Sequence, residues 1–150
     1  MNETQGREAI AHVARMLRDI DICHFATRAE DEVLHARPMS NNRQVEWDGD
    51  SWFFAPRDGR LVSEIEREPS VVNAYRKGDG YTFVSVSGRA SVESDPELKK
   101  KYWLDELARW FPNGPEDPNV ALIRVEAEHA EWWGEEGDGS ADLQAAEARA

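Results

Sequence analysis

Residues 4–19 predict a helix, because Ile10, Val13, Leu17 and, just beyond, Ile20 recur at spacings of three and four and so share one face. Asn2 or Thr4 can cap it. From Asp21 the period changes to that of strands. Ile22 to Thr27 and Val33 to Met39, joined by the polar link Arg28 to Glu32, predict a hairpin. Gln44 to Trp47, the turn Asp48-Gly49-Asp50 and the aromatic run Ser51 to Ala55 predict a second. Leu61, Val62 and Ile65 then have helical spacing until Pro69 stops the element. Val71 to Tyr75 and Tyr81 to Val92 are rich in β-branched and aromatic residues, with turn chemistry in Lys77 to Gly80 between them.

Asp95, Pro96 and Glu97 supply a cap, a first-turn proline and a first-turn acid for a third helix carrying Leu98, Tyr102, Leu107 and Phe111 and ending near Pro112. Val120 to Val125, continuing to Trp132-Trp133, predict the last strand. About six or seven short strands without a βαβ rhythm imply a mainly β (α+β) fold: a small, mostly antiparallel barrel with three flanking helices, since closure removes exposed sheet edges. Residues 1–134 make the domain. Residues 135–150 hold five acids against one base with little apolar content, and are expected to form a mobile acidic tail.

A chain of 150 residues suits one domain with its own core. Its 18 basic and 30 acidic residues give a formal charge of −12, which disfavours nucleic acid and anionic membrane surfaces as partners. A phosphorylated ligand must therefore find a local positive pocket. The single cysteine, Cys23, sits in an apolar strand and reads as a buried inert thiol of a reducing compartment. The first residues lack the pattern of an export signal, and no run approaches a membrane span, so the expected location is the cytoplasm. Histidines 12, 24, 35 and 129 lack metal spacing.

Residue-level motifs sharpen this picture. Arg37-Pro38-Met39 closes the second strand, Trp52-Phe53-Phe54 fills the fourth, and Val84 to Ala90 followed by Asp95 marks the sixth. Trp103, Trp110 to Gly114, Asp117-Pro118 and Ala130 to Trp133 follow. In order and spacing over residues 8–134 they resemble the general stress protein 26 branch of the pyridoxamine 5'-phosphate oxidase-like superfamily of FMN-binding split barrels.

The resemblance implies a split β-barrel homodimer holding two FMN molecules in grooves between protomers, and an oxidoreductase passing electrons from a reduced nicotinamide to an unknown acceptor in a stress response. It makes Arg37 the phosphate ligand, for which a planar guanidinium is suited; the alternative is an ordinary strand-end residue paired to an acid. Pro38 keeps that strand at an edge or bend, and Met39 follows it. After Phe54 the family places a threonine or serine, then a serine, then a lysine; here those positions hold Ala55, Gly59 and Leu61.

Arg57 and Arg60 flank the gap and can restore the charge, and Gly59 bares amides at a helix start; the alternative is a plain capping loop. Trp52 and Phe54 share one strand face and Phe53 the other, so at most one set meets a ligand and core packing competes for both. Trp133 matches the family's tryptophan near the flavin, or else anchors an interface. Acidic residues after Trp133 argue against the named oxidase activity. The competing expectation is a non-catalytic ligand-sensing or interaction dimer with a decayed flavin site, or a deazaflavin or haem ligand.

Overall fold

The computed structural model describes residues 3–41, 46–78, 80–135 and 137–143 of the chain. Helix α1 (Glu3–Leu17) is followed by strands β1 (Ile22–Arg28), β2 (Leu34–Ser40) and β3 (Asp50–Pro56), helix α2 (Arg60–Arg67), and strands β4 (Ser70–Arg76) and β5 (Phe83–Glu93). Helix α3 (Pro96–Tyr102) and a 3-10 turn (Asp105–Arg109) lead into the long β6 (Val120–Trp133) and the short β7 (Gly139–Asp142). Every strand pair is antiparallel, and the single sheet runs β2-β1-β4-β5-β6-β3 with β7 also on β6. Residues 122–133 of β6 pair with β5 on one edge, so β3 and β7 share the other, at opposite ends.

The sheet curls. Phe25 of β1 and Phe53 of β3 lie four strands apart in that order, yet their rings meet edge to face with centroids 5.0 Å apart. This is the antiparallel barrel expected from the strand pattern, in the split form that the family resemblance implies. Its interior collects the alternate residues Cys23, Phe25, Val84, Val86, Ile123 and Val125, plugged by Val13 and Leu17 of α1 and by Leu61, Val62 and Ile65 of α2. Outside β3 and β6 a second cluster forms, in which Trp52 stacks on Tyr102 at 4.2 Å and Phe54 meets the Trp103 ring edge at 5.4 Å. Phe53 thus faces in and its two neighbours face out, as strand alternation requires.

Three expectations change. Among the described residues the second hairpin is not seen: β3 takes β6 as its partner over seven residues, while Trp47 is buried with its indole N–H donating to Ser51 Oγ at 3.0 Å. Gln44 and Val45 of that expected strand lie outside the described residues. The third helix breaks after Tyr102, with Trp103 and Leu104 extended. Tyr102, Trp103 and Leu104 all pack on the outer cluster, and three consecutive residues spread too far around a helix to share one face. The sheet also continues past residue 134, since β7 lies inside the segment read as a tail and Leu143 after it is fully buried. Among the described residues no helix is long and apolar enough to cross a membrane.

Between Ser87 and Gly88 the β5–β6 register slips by one residue. A Cβ on Gly88 would lie 2.3 Å from the Glu126 carbonyl oxygen, a backbone atom held in the ladder. Gly88→Ala is expected to cost about 2–3 kcal/mol and lower the melting temperature by roughly 5–10 °C. Thermal unfolding of the variant checks this; an unchanged midpoint would show that the bulge can open.

Candidate functional site

The most concentrated polar chemistry sits at the mouth of the barrel, where α2 caps the β1–β2 hairpin. Directly opposed residues of an antiparallel pair share a face, so Arg37, opposite Phe25, and His35, opposite Thr27, point to the inner side. Glu64 meets them from α2. It occupies a core-facing position between Leu61 and Ile65, and its side chain is only 7 % exposed.

Each oxygen of that carboxylate takes two donors. Oε1 accepts from the Thr27 hydroxyl at 2.6 Å and from Arg37 NH2 at 2.8 Å. Oε2 faces His35 Nδ1 at 3.1 Å and accepts from Arg60 Nε at 3.2 Å. Four donors fill its acceptor capacity. Burial by itself would raise the pKa of Glu64, but the hydrogen bonds from Thr27 and Arg37, the Arg37 charge and the contact to His35 outweigh it and hold the carboxyl down at about 2. An ionised carboxylate can only accept, so His35 carries its proton on Nδ1. Its Nε2 then accepts from Arg60 NH2, 3.4 Å away.

The arginines are held differently. Arg37, with its side chain 22 % exposed, donates from NH1 to the Phe25 carbonyl at 3.2 Å and to Thr27 Oγ1 at 2.8 Å, and from NH2 to Glu64. Its Nε–H and second NH2 hydrogen, two parallel donors on one edge of the fork, have no partner among the described residues. Arg60 is 70 % exposed and uses its Nε and NH2, which leaves NH1 without a partner among them. Gly59 caps α2 without a side-chain hydrogen bond, and the first amides of any helix lack intrahelical acceptors. Beside this cluster opens a cavity of about 520 Å³, lined by Arg60, Ser63, Glu64, Arg67 and residues 29–31.

The remaining candidates are scattered. Arg57 turns away to pair with Glu66 at 3.4 Å, both half exposed, which makes Arg60 the one of the two flanking arginines that joins Arg37. Leu61 and Ala55 are buried in the main core and Phe54 in the outer cluster. At Gly59 a Cβ would come within 3.1 Å of the Pro56 carbonyl, so a serine there needs the loop to shift by a few tenths of an ångström. Pro38 is exposed on the outer face, and Met39 packs inward. Trp133 is half-buried opposite Phe83 on the outer face, whereas Trp132 packs inward against His12 with ring centroids 5.0 Å apart. Burial pushes the Cys23 thiol up to about 12, so it stays protonated and unreactive.

Sequence reasoning found Arg37 and Arg60 but missed Thr27, His35 and Glu64. One signal was visible: an acid spaced three from Leu61 and one from Ile65 on the buried face of a short helix.

The comparisons with known proteins agree with this architecture. A family model described as pyridoxamine 5'-phosphate oxidase like matches residues 8–149. General stress protein 26 of Bacillus subtilis is 38 % identical over 75 residues, which are 48 % of this chain and 53 % of that protein, so the matched stretch spans about half of the relative's length. The crystal structure of general stress protein 26 from Bacillus anthracis superposes with a TM-score of 0.73 at 26 % identity, covering 91 % of this chain and 98 % of the other. That of the general stress FMN/FAD binding protein from Xanthomonas citri gives 0.73 at 28 % identity, covering 91 % and 96 %.

Proposed function

Since the chain belongs to the pyridoxamine 5'-phosphate oxidase-like family, we propose that it is a homodimeric FMN-binding protein that passes electrons from a reduced nicotinamide donor to an acceptor. The observation that carries the reading is the pair of arginine forks, Arg37 on β2 and Arg60 at the start of α2, each with donors left over. These residues fit a phosphate monoester. Arg37 offers a bidentate edge, Arg60 supplies the cation that Leu61 does not, and the α2 amides add partial positive charge. Bound FMN would supply the redox chemistry at its ring system. The chain's part is to anchor the phosphate, orient the ring and exclude water.

Two features support a dimer. Ile22, Leu34, Ala36, Pro38 and Ala74 are exposed on the outer face of β2, β1 and β4, and Tyr81, Phe83 and Trp133 extend that face with aromatic rings. A face with this many exposed apolar side chains, interrupted by His24 and Arg76, suits an interaction site. Arg37 and Trp133, moreover, lie on opposite faces of the sheet, on strands β2 and β6 that are four positions apart, roughly 19 Å along the sheet. This placement suits a site in which Arg37 comes from one copy and Trp133 from the other.

Subunit complementation tests this arrangement. Arg37→Ala and Trp133→Ala dimers each lack one half of every site, whereas a mixed dimer regains one intact site. Recovery of FMN binding on mixing is the expected result; no recovery from verified mixed dimers would place both residues outside a shared site. The second reading, a dimeric sensing module with a decayed flavin site, is favoured by the core positions of Ala55 and Leu61, which provide neither hydroxyl nor cation. Tight binding of haem or a deazaflavin in place of FMN would support that reading.

A further inference from the structure

We infer that Glu64 is a positioning residue that sets selectivity for phosphate-bearing flavins by turning one edge of each arginine fork toward the ligand. The inference rests on the reading of Arg37 and Arg60 as the phosphate anchor. A guanidinium has two edges able to form paired hydrogen bonds, one made of NH1 and NH2 and one of Nε and NH2. In Arg37 the NH1–NH2 edge is consumed by Phe25, Thr27 and Glu64, which leaves the Nε–NH2 edge. In Arg60 the reverse holds: Nε and NH2 are taken by Glu64 and His35, which leaves NH1 and a remaining NH2 hydrogen.

One carboxylate thus braces both forks through opposite edges. Arg60 depends on this bracing most, since its side chain is 70 % exposed and a free arginine would lose much rotamer entropy on binding. Arg37 depends on it for direction, because Thr27 is itself fixed by donating to the same oxygen, Oε1. Glu64 contacts the arginines and leaves the phosphate to them. Its negative charge opposes phosphate binding, so bracing and charge predict opposite outcomes when it is changed, and the two can be told apart.

The test compares affinities for FMN and riboflavin, which differ only in the phosphate, for the full-length protein and the variants Glu64→Gln and Glu64→Ala. Glutamine keeps one oxygen for Thr27 and Arg37 but presents an amide N–H₂ toward Arg60 and His35, so it should release those two and leave Arg37 held. The FMN-to-riboflavin ratio is expected to fall several-fold in Glu64→Gln and about tenfold or more in Glu64→Ala, with riboflavin affinity unchanged. A ratio that stays constant or rises in either folded variant overturns the inference, the rise identifying Glu64 as a counter-charge. Should Glu64→Ala fail to fold, the glutamine variant carries the test. Should wild type bind neither flavin, the flavin reading fails separately, and inorganic pyrophosphate becomes the probe. Its stabilisation of the wild type against heat should then be lost in Glu64→Gln, and equal stabilisation of both overturns the role of Glu64.

Discussion

Arg37→Ala is expected to lower FMN affinity by about a hundredfold while the protein stays folded, because two charge-assisted hydrogen bonds together contribute on the order of 3 kcal/mol. The fold should survive. Glu64 keeps Thr27, His35 and Arg60 as partners, so its carboxylate is not left buried and alone. The barrel interior behind Arg37 is formed by Phe25 and Phe53, which the substitution does not touch. Arg37→Lys should fall between the two, since it keeps the charge and loses the fork. Fluorescence titration with FMN, and with riboflavin as the phosphate-free control, reads the effect. A folded Arg37→Ala protein that binds FMN as tightly as wild type would remove Arg37 from the site.

The second large effect concerns acid stability. The Glu64 carboxyl is held at about 2 in the folded chain against an ordinary 4.5, so folding favours its ionised form. A depressed pKa contributes stability that is fully present above the unfolded value and is lost as the pH falls through the folded one. The window is therefore about pH 4.5 to 2, and the contribution is on the order of 2–3 kcal/mol, reduced by water around the exposed Arg60. Denaturant unfolding of the wild type should show this loss across that window. Glu64→Gln, which has no proton to gain, should be less stable at neutral pH and lose less on acidification. Parallel acid curves for the two proteins would show that Glu64 is not held as the geometry indicates.

Much of the fold was legible because its signals are local. The β1–β2 and β4–β5 hairpins follow from alternation and turn residues, and α2 from the spacing of Leu61, Val62 and Ile65. The partner of β3 was not legible. Its pairing with β6 joins residues some seventy positions apart, and nothing in the Trp47 to Ala55 stretch encodes which distant strand will satisfy its edge. The break after Tyr102 was hidden for a related reason: Asp95 and Pro96 signal where a helix starts, whereas its end is decided by an outer cluster that exists only once β3 and β6 have paired. Strand β7 was masked by acidic composition, although Ala141 and Leu143 carry the alternation that buries them.

The site divides along the same line. Arg37 and Arg60 were visible through the family resemblance, which implies a phosphate-binding arginine at that strand end and a cation in the loop that Arg60 closes. Thr27, His35 and Glu64 come from three elements that only the folded barrel brings together, and none of them is distinctive alone. The corrections at Leu61 and Ala55 have one cause: both positions belong to the apolar period of their elements, and packing claims them before a ligand can.

Titration of the purified full-length protein with FMN, followed by flavin absorbance and thermal unfolding together, tests the central claim most directly. The expected result is saturable binding of one FMN per chain with a melting temperature that rises with FMN concentration. A protein that stays colourless and melts at the same temperature in excess FMN would contradict it.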